Sequence, residues 1–166
     1  TLTMNPVEKD KICTYLENKF QLEPEQAQIA ANYCQGNIGK AIRFASSSDF
    51  IEMKNQVLKL LKNLDSMDIA SIIDTIKEFS THKNDINDYL DLMLLWYRYV
   101  LMFNVTKDAN LLLYSDEYSA ISEQATKRDY ENIENIIAAI DKAKVRLKAN
   151  VNFDVTIELM ILAMKD

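Results

Sequence analysis

Backbone freedom is confined to one place in this 166-residue chain, because both of its glycines lie in Cys34-Gln35-Gly36-Asn37-Ile38-Gly39-Lys40-Ala41-Ile42. Glycine is the residue that reaches positive φ, or allows close approach of another group, without a steric penalty. Only two prolines interrupt the rest, and Leu, Ile, Ala, Lys, Glu and Asp dominate it. These residues favour helix, so the expected fold is all-α, with turns that carry side chains and are capped by them. The segment around Gly36 and Gly39 then marks either a mechanical junction or a ligand contact.

The chain is 48% hydrophobic and 27% charged, enough to bury a core and outside the range of disordered sequences. Its net charge of −6 is unevenly spread. Residues 1–48 hold five basic side chains (Lys9, Lys11, Lys19, Lys40, Arg43) against five acidic ones (Glu8, Asp10, Glu17, Glu23, Glu25), so the excess negative charge lies downstream. Affinity for nucleic-acid backbones comes mainly from Lys and Arg displacing counterions, so direct DNA binding by the long downstream part is not expected. Cys13 and Cys34 have no second pair with which to build a zinc site and read as reduced structural thiols of a cytoplasmic protein. The longest apolar run, 92–103, is broken by Arg98 and too short to span a bilayer. A start on Thr1 rather than Met suggests a piece of a longer chain.

Helix signals follow in close order. Asn5-Pro6-Val7-Glu8 has the pattern of a helix start, and the helix should run to about Lys19. A second should begin at Glu23-Pro24-Glu25 and end at Gly36 in a left-handed cap, and Asn37 should cap a third. Ser46-Ser47-Ser48-Asp49 reads as a linker, dividing a small three-helix domain (1–47) from a larger helical bundle (48–166). In the bundle, Val57, Leu58, Leu61 and Leu64 keep helical spacing, as do Ile69, Ile72, Ile73, Ile76 and Phe79, with 65–68 between them. The helix over 85–103 carries apolar residues on nearly every side and should be either central or shared with another chain. An irregular connection over 104–115 should tuck Leu111, Leu112 and Leu113 inward. Helices are then expected over 116–125 and from Asp129 to about Leu147. After Asn150-Val151-Asn152, a last helix bears Val155, Leu159 and Leu162, flanked by Ile157, Met160 and Ile161.

Catalytic and metal motifs are lacking. The one histidine, His82, sits alone between two helices, and Gly36-x-x-Gly39-Lys40 is too short for a phosphate-binding loop of the Walker type. Asp85, Asp88 and Asp91 read as solvated helix-face charges. Trp96, Tyr97 and Tyr99 have only Arg98 among them, so packing within the core or against another protein explains them better than base stacking.

The order of these features resembles the clamp-loader subunits of the AAA+ class. The run from Ala30 to Ile42 is similar to the end of an AAA+ lid, whose final helix opens with Gly-Ser/Asn-x-Arg-x-Ala. Gly36, Asn37 and Ala41 match that pattern, while Gly39 stands where the lid has sensor 2, the arginine that reaches the γ-phosphate of ATP. No guanidinium is offered there, so the resemblance implies an impaired or absent nucleotide switch in a degenerate region that also holds Lys40; the alternative is that Arg43, one turn along, substitutes for the missing arginine. Downstream, Leu94-Leu95-Trp96-Tyr97-Arg98-Tyr99 and Asn150-Val151-Asn152 followed by Ile157-Glu158-Leu159-Met160 resemble motifs of the collar domain, with Tyr99 where aspartate is common.

Among bacterial loaders of the DNA polymerase III holoenzyme, the resemblance is to the delta-prime family. It implies a non-catalytic lid-plus-collar piece without metal or cofactor, lacking its N-terminal ATPase-like domain. Its collar would pack beside gamma/tau-type and delta-type subunits; DNA would be reached only through the assembly, and no membrane is involved. Trp96, Tyr97, Tyr99, Phe103, Leu159 and Met160 are the expected subunit contacts. Two alternatives stay open: an ATP-hydrolysing motor subunit of the same loader, with Arg43 sensing phosphate, and an unrelated helical adaptor.

Overall fold

The computed structural model describes residues 8–34, 36–46, 49–107 and 118–165. Among them are nine α-helices and no strand: α1 (Lys9–Phe20), α2 (Pro24–Cys34), α3 (Ile38–Ser46), α4 (Asp49–Asn63), α5 (Ile69–Ser80), α6 (Ile86–Thr106), α7 (Tyr118–Lys127), α8 (Tyr130–Lys148) and α9 (Phe153–Lys165). Short 3₁₀ turns, Leu64–Ser66 and Lys83–Asp85, lead into α5 and α6. The all-α expectation holds. Two compact units divide the chain, one ending at Lys54 and the other beginning at Asn55, so the division in packing lies inside α4. Ser47 and Ser48 lie outside the described residues, as do Leu111, Leu112 and Leu113.

In the first unit, α1, α2 and α3 pack on one another around Ile12, Leu16, Ala27, Ala30, Ala31, Cys34 and Ala41. Four of these seven are alanines, which lets short helices approach closely where no long side chain fits between them. The first helix begins later than its start signal suggests. Glu8 is still extended (φ −59°, ψ 138°), and the first helical bond runs from the Ile12 N–H to the Glu8 carbonyl at 3.1 Å. Asn5 and Pro6, which carried that signal, lie outside the described residues.

The second unit is built around α6, which packs on α7 and α8; α8 packs on α9, and α9 on α5. The residues of α6 from Leu92 to Tyr97 are buried without interruption, and Trp96 and Tyr97 are fully enclosed. Such burial is worth roughly 1.5–3 kcal/mol per large side chain. What remains open on α6 is a narrow stripe through Asn87, Arg98 and Val105.

Side-chain caps start α5 and α8, where Asp68 accepts from the Ser71 N–H and Asp129 from the Asn132 N–H, both at 2.8 Å. Glycine is absent from this unit, and two of its helices end in left-handed residues that carry side chains. Lys107 (φ 56°) closes α6, and Asn150 (φ 60°) sits just past α8 in a Schellman motif, with the Val151 N–H on the Arg146 carbonyl at 3.0 Å.

The last helix presents its faces differently from the sequence expectation. Ile157, Met160, Ile161 and Met164 are buried, while Val155, Leu159 and Leu162 face solvent. Both sets satisfy helical spacing, because α9 is apolar almost all round, and its neighbours α5 and α8 cover one side only. The same correction applies to α5, where Ile72, Ile76 and Phe79 are inside but Ile69 is 78% exposed and Ile73 is also outside.

Candidate functional site: the glycine junction and the bundle surface

Gly36 and Gly39 have different physical roles. Gly36 has φ 86°, the left-handed region, and lets the chain leave α2 and re-enter helix at once. The Asn37 N–H reaches back to the Cys34 carbonyl at 2.9 Å, the Asn37 carbonyl accepts from the Ala41 N–H at 3.1 Å, and its side-chain Oδ1 accepts from the Lys40 N–H at 3.1 Å. Asn37 is therefore the cap of α3, as its position beside Gly36 suggests. Gly39 is exposed in the first turn, and a Cβ built there would meet only Asn37 Oδ1, at 3.4 Å. Close helix packing therefore does not require glycine at 39.

Arg43 lies one turn beyond Gly39 on the same face of α3, exposed, with its guanidinium carbon 5.6 Å from the Phe44 ring centre. This corner of α3 thus carries backbone at position 39, a half-buried Lys40 and an outward Arg43. The two thiols nearby are buried or half-buried, and burial pushes both up from the ordinary cysteine range, which makes them poor nucleophiles.

Of the six residues expected at a subunit contact, five are enclosed by the chain itself. Trp96, Tyr97, Tyr99, Phe103 and Met160 are buried, whereas Leu159 is 45% exposed. The amphipathic-looking aromatics serve the core because α7 and α8 cover the α6 faces that carry them. Trp96 Nε1 donates to Gln124 Oε1 at 3.5 Å, and Gln124 Nε2 in turn donates to the Leu61 carbonyl at 3.1 Å. Tyr99 is pushed up to about 12 by burial. The Tyr97 hydroxyl is raised further, chiefly by burial and against the pull of the Arg128 charge, and among the described residues it finds no hydrogen-bond partner.

Sequence reasoning missed the polar node that holds the helix connections together. Arg128, between α7 and α8, has a side chain only 8% exposed. Its Nη2 donates to Asp65 Oδ1 and its Nη1 to Asn132 Oδ1, both at 2.8 Å, while Lys127 reaches Asp65 Oδ2 at 2.8 Å. The hydrogen bond from Lys127 is the main cause that holds the Asp65 carboxyl below its ordinary range; burial opposes it, and the Arg128 charge lowers it by less. Asn104 fixes the same turn by donating to the Ala125 and Arg128 carbonyls at 2.8 and 3.1 Å. No pattern in one dimension pairs residue 65 with 128.

The acidic trio reads differently in space: Asp85 is exposed, Asp88 is buried, and Asp91 is half-buried and paired with Lys144 of α8. His82 stacks obliquely on Tyr89, ring centres 5.4 Å apart, a packing role. Among the described residues no group of three or more His, Cys, Asp or Glu is placed to hold a metal ion, and no helix is long and apolar enough to cross a membrane.

No known family model matches the chain. Over its whole length it is 27% identical, across 169 aligned residues, to DNA polymerase III subunit delta' of Bacillus subtilis (strain 168). The chain is similar to the C-terminal half of a delta' subunit. It spans about half (50%) of that relative's length. The delta' likeness runs through both compact units, so it takes in the glycine junction and the α6 bundle together.

Proposed function

We propose that this chain is the lid (1–47) and collar (48–166) of a clamp-loader delta-prime subunit of the DNA polymerase III holoenzyme. The observation that carries the reading is the whole-length match to the C-terminal half of a delta' subunit. The role is non-catalytic and cytoplasmic. The collar packs beside gamma/tau-type and delta-type subunits in a ring, and the ring supports the ATPase domains while a sliding clamp is opened around primed DNA. Gly39 at the sensor-2 position supports a scaffold role, since backbone there supplies no fixed positive charge toward a nucleotide phosphate.

The α9 stripe of Val155, Leu159 and Leu162 is the collar contact we assign, in place of the enclosed aromatics. A helix presenting apolar side chains one and two turns apart to solvent, with its other face already packed, suits helix-to-helix docking. The test is co-elution of the chain with the gamma/tau-type and delta-type subunits of its own organism at micromolar concentration. Leu159→Asp with Leu162→Asp should abolish co-elution and leave the helical circular dichroism unchanged. Absence of any complex with the unaltered chain would refute the assignment. ATP turnover by the full-length parent alone, lost on Arg43→Ala, would instead favour the motor-subunit alternative.

A further inference from the structure

A second surface of the bundle has a chemistry that the clamp-loader reading does not use. Between the 3₁₀ turn Lys83–Asp85 with the start of α6, and the end of α8 with the start of α9, lies an open groove of about 820 Å³. Lys83, Lys144 and Lys148 stand around it, and Val145, Val151 and Phe153 form its apolar floor. Among the described residues no carboxylate lines it, although the chain as a whole carries a net charge of −6.

Each of the three lysines has a local reason to be there. Lys144 pairs with Asp91, and Lys148 lies in the last turn of α8, where a cation complements the helix dipole. Lys83 has a partner of a third kind: its ammonium lies over the Phe153 ring, 5.2 Å from the ring centre. Val145 is 67% exposed and Val151 44% exposed, so the floor is open to solvent.

We propose that this groove docks an acidic amphipathic peptide segment of another protein. The segment would carry carboxylates spaced to meet Lys83 and Lys148, and a leucine- or phenylalanine-sized side chain to cover Val145 and Val151. Charge complementarity selects the partner: a basic rim in an otherwise acidic protein attracts carboxylates and repels the bulk of its own surface. The apolar floor selects a peptide over a phosphate backbone, which has no apolar group to place there. The inference is independent of the clamp-loader assignment, since the groove is lined by none of Val155, Leu159 and Leu162.

Fluorescence anisotropy with the whole chain tests it, using a labelled peptide of roughly 16 residues that alternates Glu and Leu at helical spacing. Micromolar binding is expected, weakened about tenfold by Lys83→Glu with Lys148→Glu and by about as much by Val145→Asp. Lys83→Arg with Lys148→Arg should retain it. All of these positions except Val145 carry exposed charged side chains, and unchanged circular dichroism establishes that each variant is folded. Equal binding of a Lys–Leu peptide of the same length would overturn the proposal. So would displacement by single-stranded DNA at equal concentration, indifference to the charge reversals, or no binding at all. Leu159→Asp should leave peptide binding intact, so loss of sibling assembly and loss of this site are read separately.

Discussion

Removing the Asp65 carboxylate should destabilise the bundle through Arg128 rather than through Lys127. Asp65 accepts from both cations at 2.8 Å, so distance alone does not rank them. Exposure does. The Lys127 side chain is 55% exposed and that of Asp65 41%, and an exposed pair of this kind contributes about 0.2–1 kcal/mol. The Arg128 side chain is 8% exposed, so its guanidinium loses hydration on folding and depends on Asp65 and Asn132 for compensation. Breaking a fully buried pair costs about 3–5 kcal/mol. Because water reaches the Asp65 side of this one, about 2 kcal/mol is the expected cost of Asp65→Ala, against about 0.5 kcal/mol for Lys127→Ala.

Trp96, the one tryptophan in the chain, is enclosed in the same unit, so its fluorescence in a urea titration reports the unfolding that matters. The pH dependence adds a second readout. Folding lowers the Asp65 pKa below its ordinary value of 3.8, so the stabilisation is fully present above that value and is lost as pH falls through the folded value. The Asp65→Asn penalty at pH 7 should therefore shrink as the pH is brought below about 3.8, where the unaltered carboxyl is itself being neutralised. Equal costs for Asp65→Ala and Lys127→Ala would refute this ranking, and a penalty that does not change with pH would refute a role for the Asp65 charge itself.

Other outcomes follow from the same geometry. Gly36→Ala should destabilise the first unit by about 1 kcal/mol because of its left-handed φ, whereas Gly39→Ala should be neutral or stabilising by up to about 1 kcal/mol; amide hydrogen exchange in α2 and α3 separates the two. Tyr97→Phe removes a buried hydroxyl that has no hydrogen-bond partner among the described residues, so urea unfolding should show no loss or a gain of about 1 kcal/mol. A loss larger than that would mean the hydroxyl is satisfied.

Local rules were legible wherever one residue's chemistry decides. Gly36 as a left-handed exit, Asn37 as a cap, Asp68 opening α5 and Asp129 opening α8 all act within a single turn, and their residue types announce them. The polar outer face of α8 was equally plain, since Glu131, Glu134, Asp141, Lys142 and Lys148 leave one direction for Ile133, Ile136 and Ile140. Helices apolar on every side carry no such instruction. On α9 the sets 157/160/161/164 and 155/159/162 fit the same period, and α6 could bury its aromatics in its own chain or in another.

The amino-acid sequence thus determined that the chain is helical, where most helices begin and end, and that one corner at Gly36 turns through left-handed backbone. Those properties depend on contacts within a few residues, which a linear string records. Only tertiary structure decided that Trp96 and Tyr97 are core while Leu159 is surface, and that Asp65 meets Arg128. A side chain's burial depends on which neighbouring helix arrives beside it, and packing against α5, α7 and α8 makes that choice.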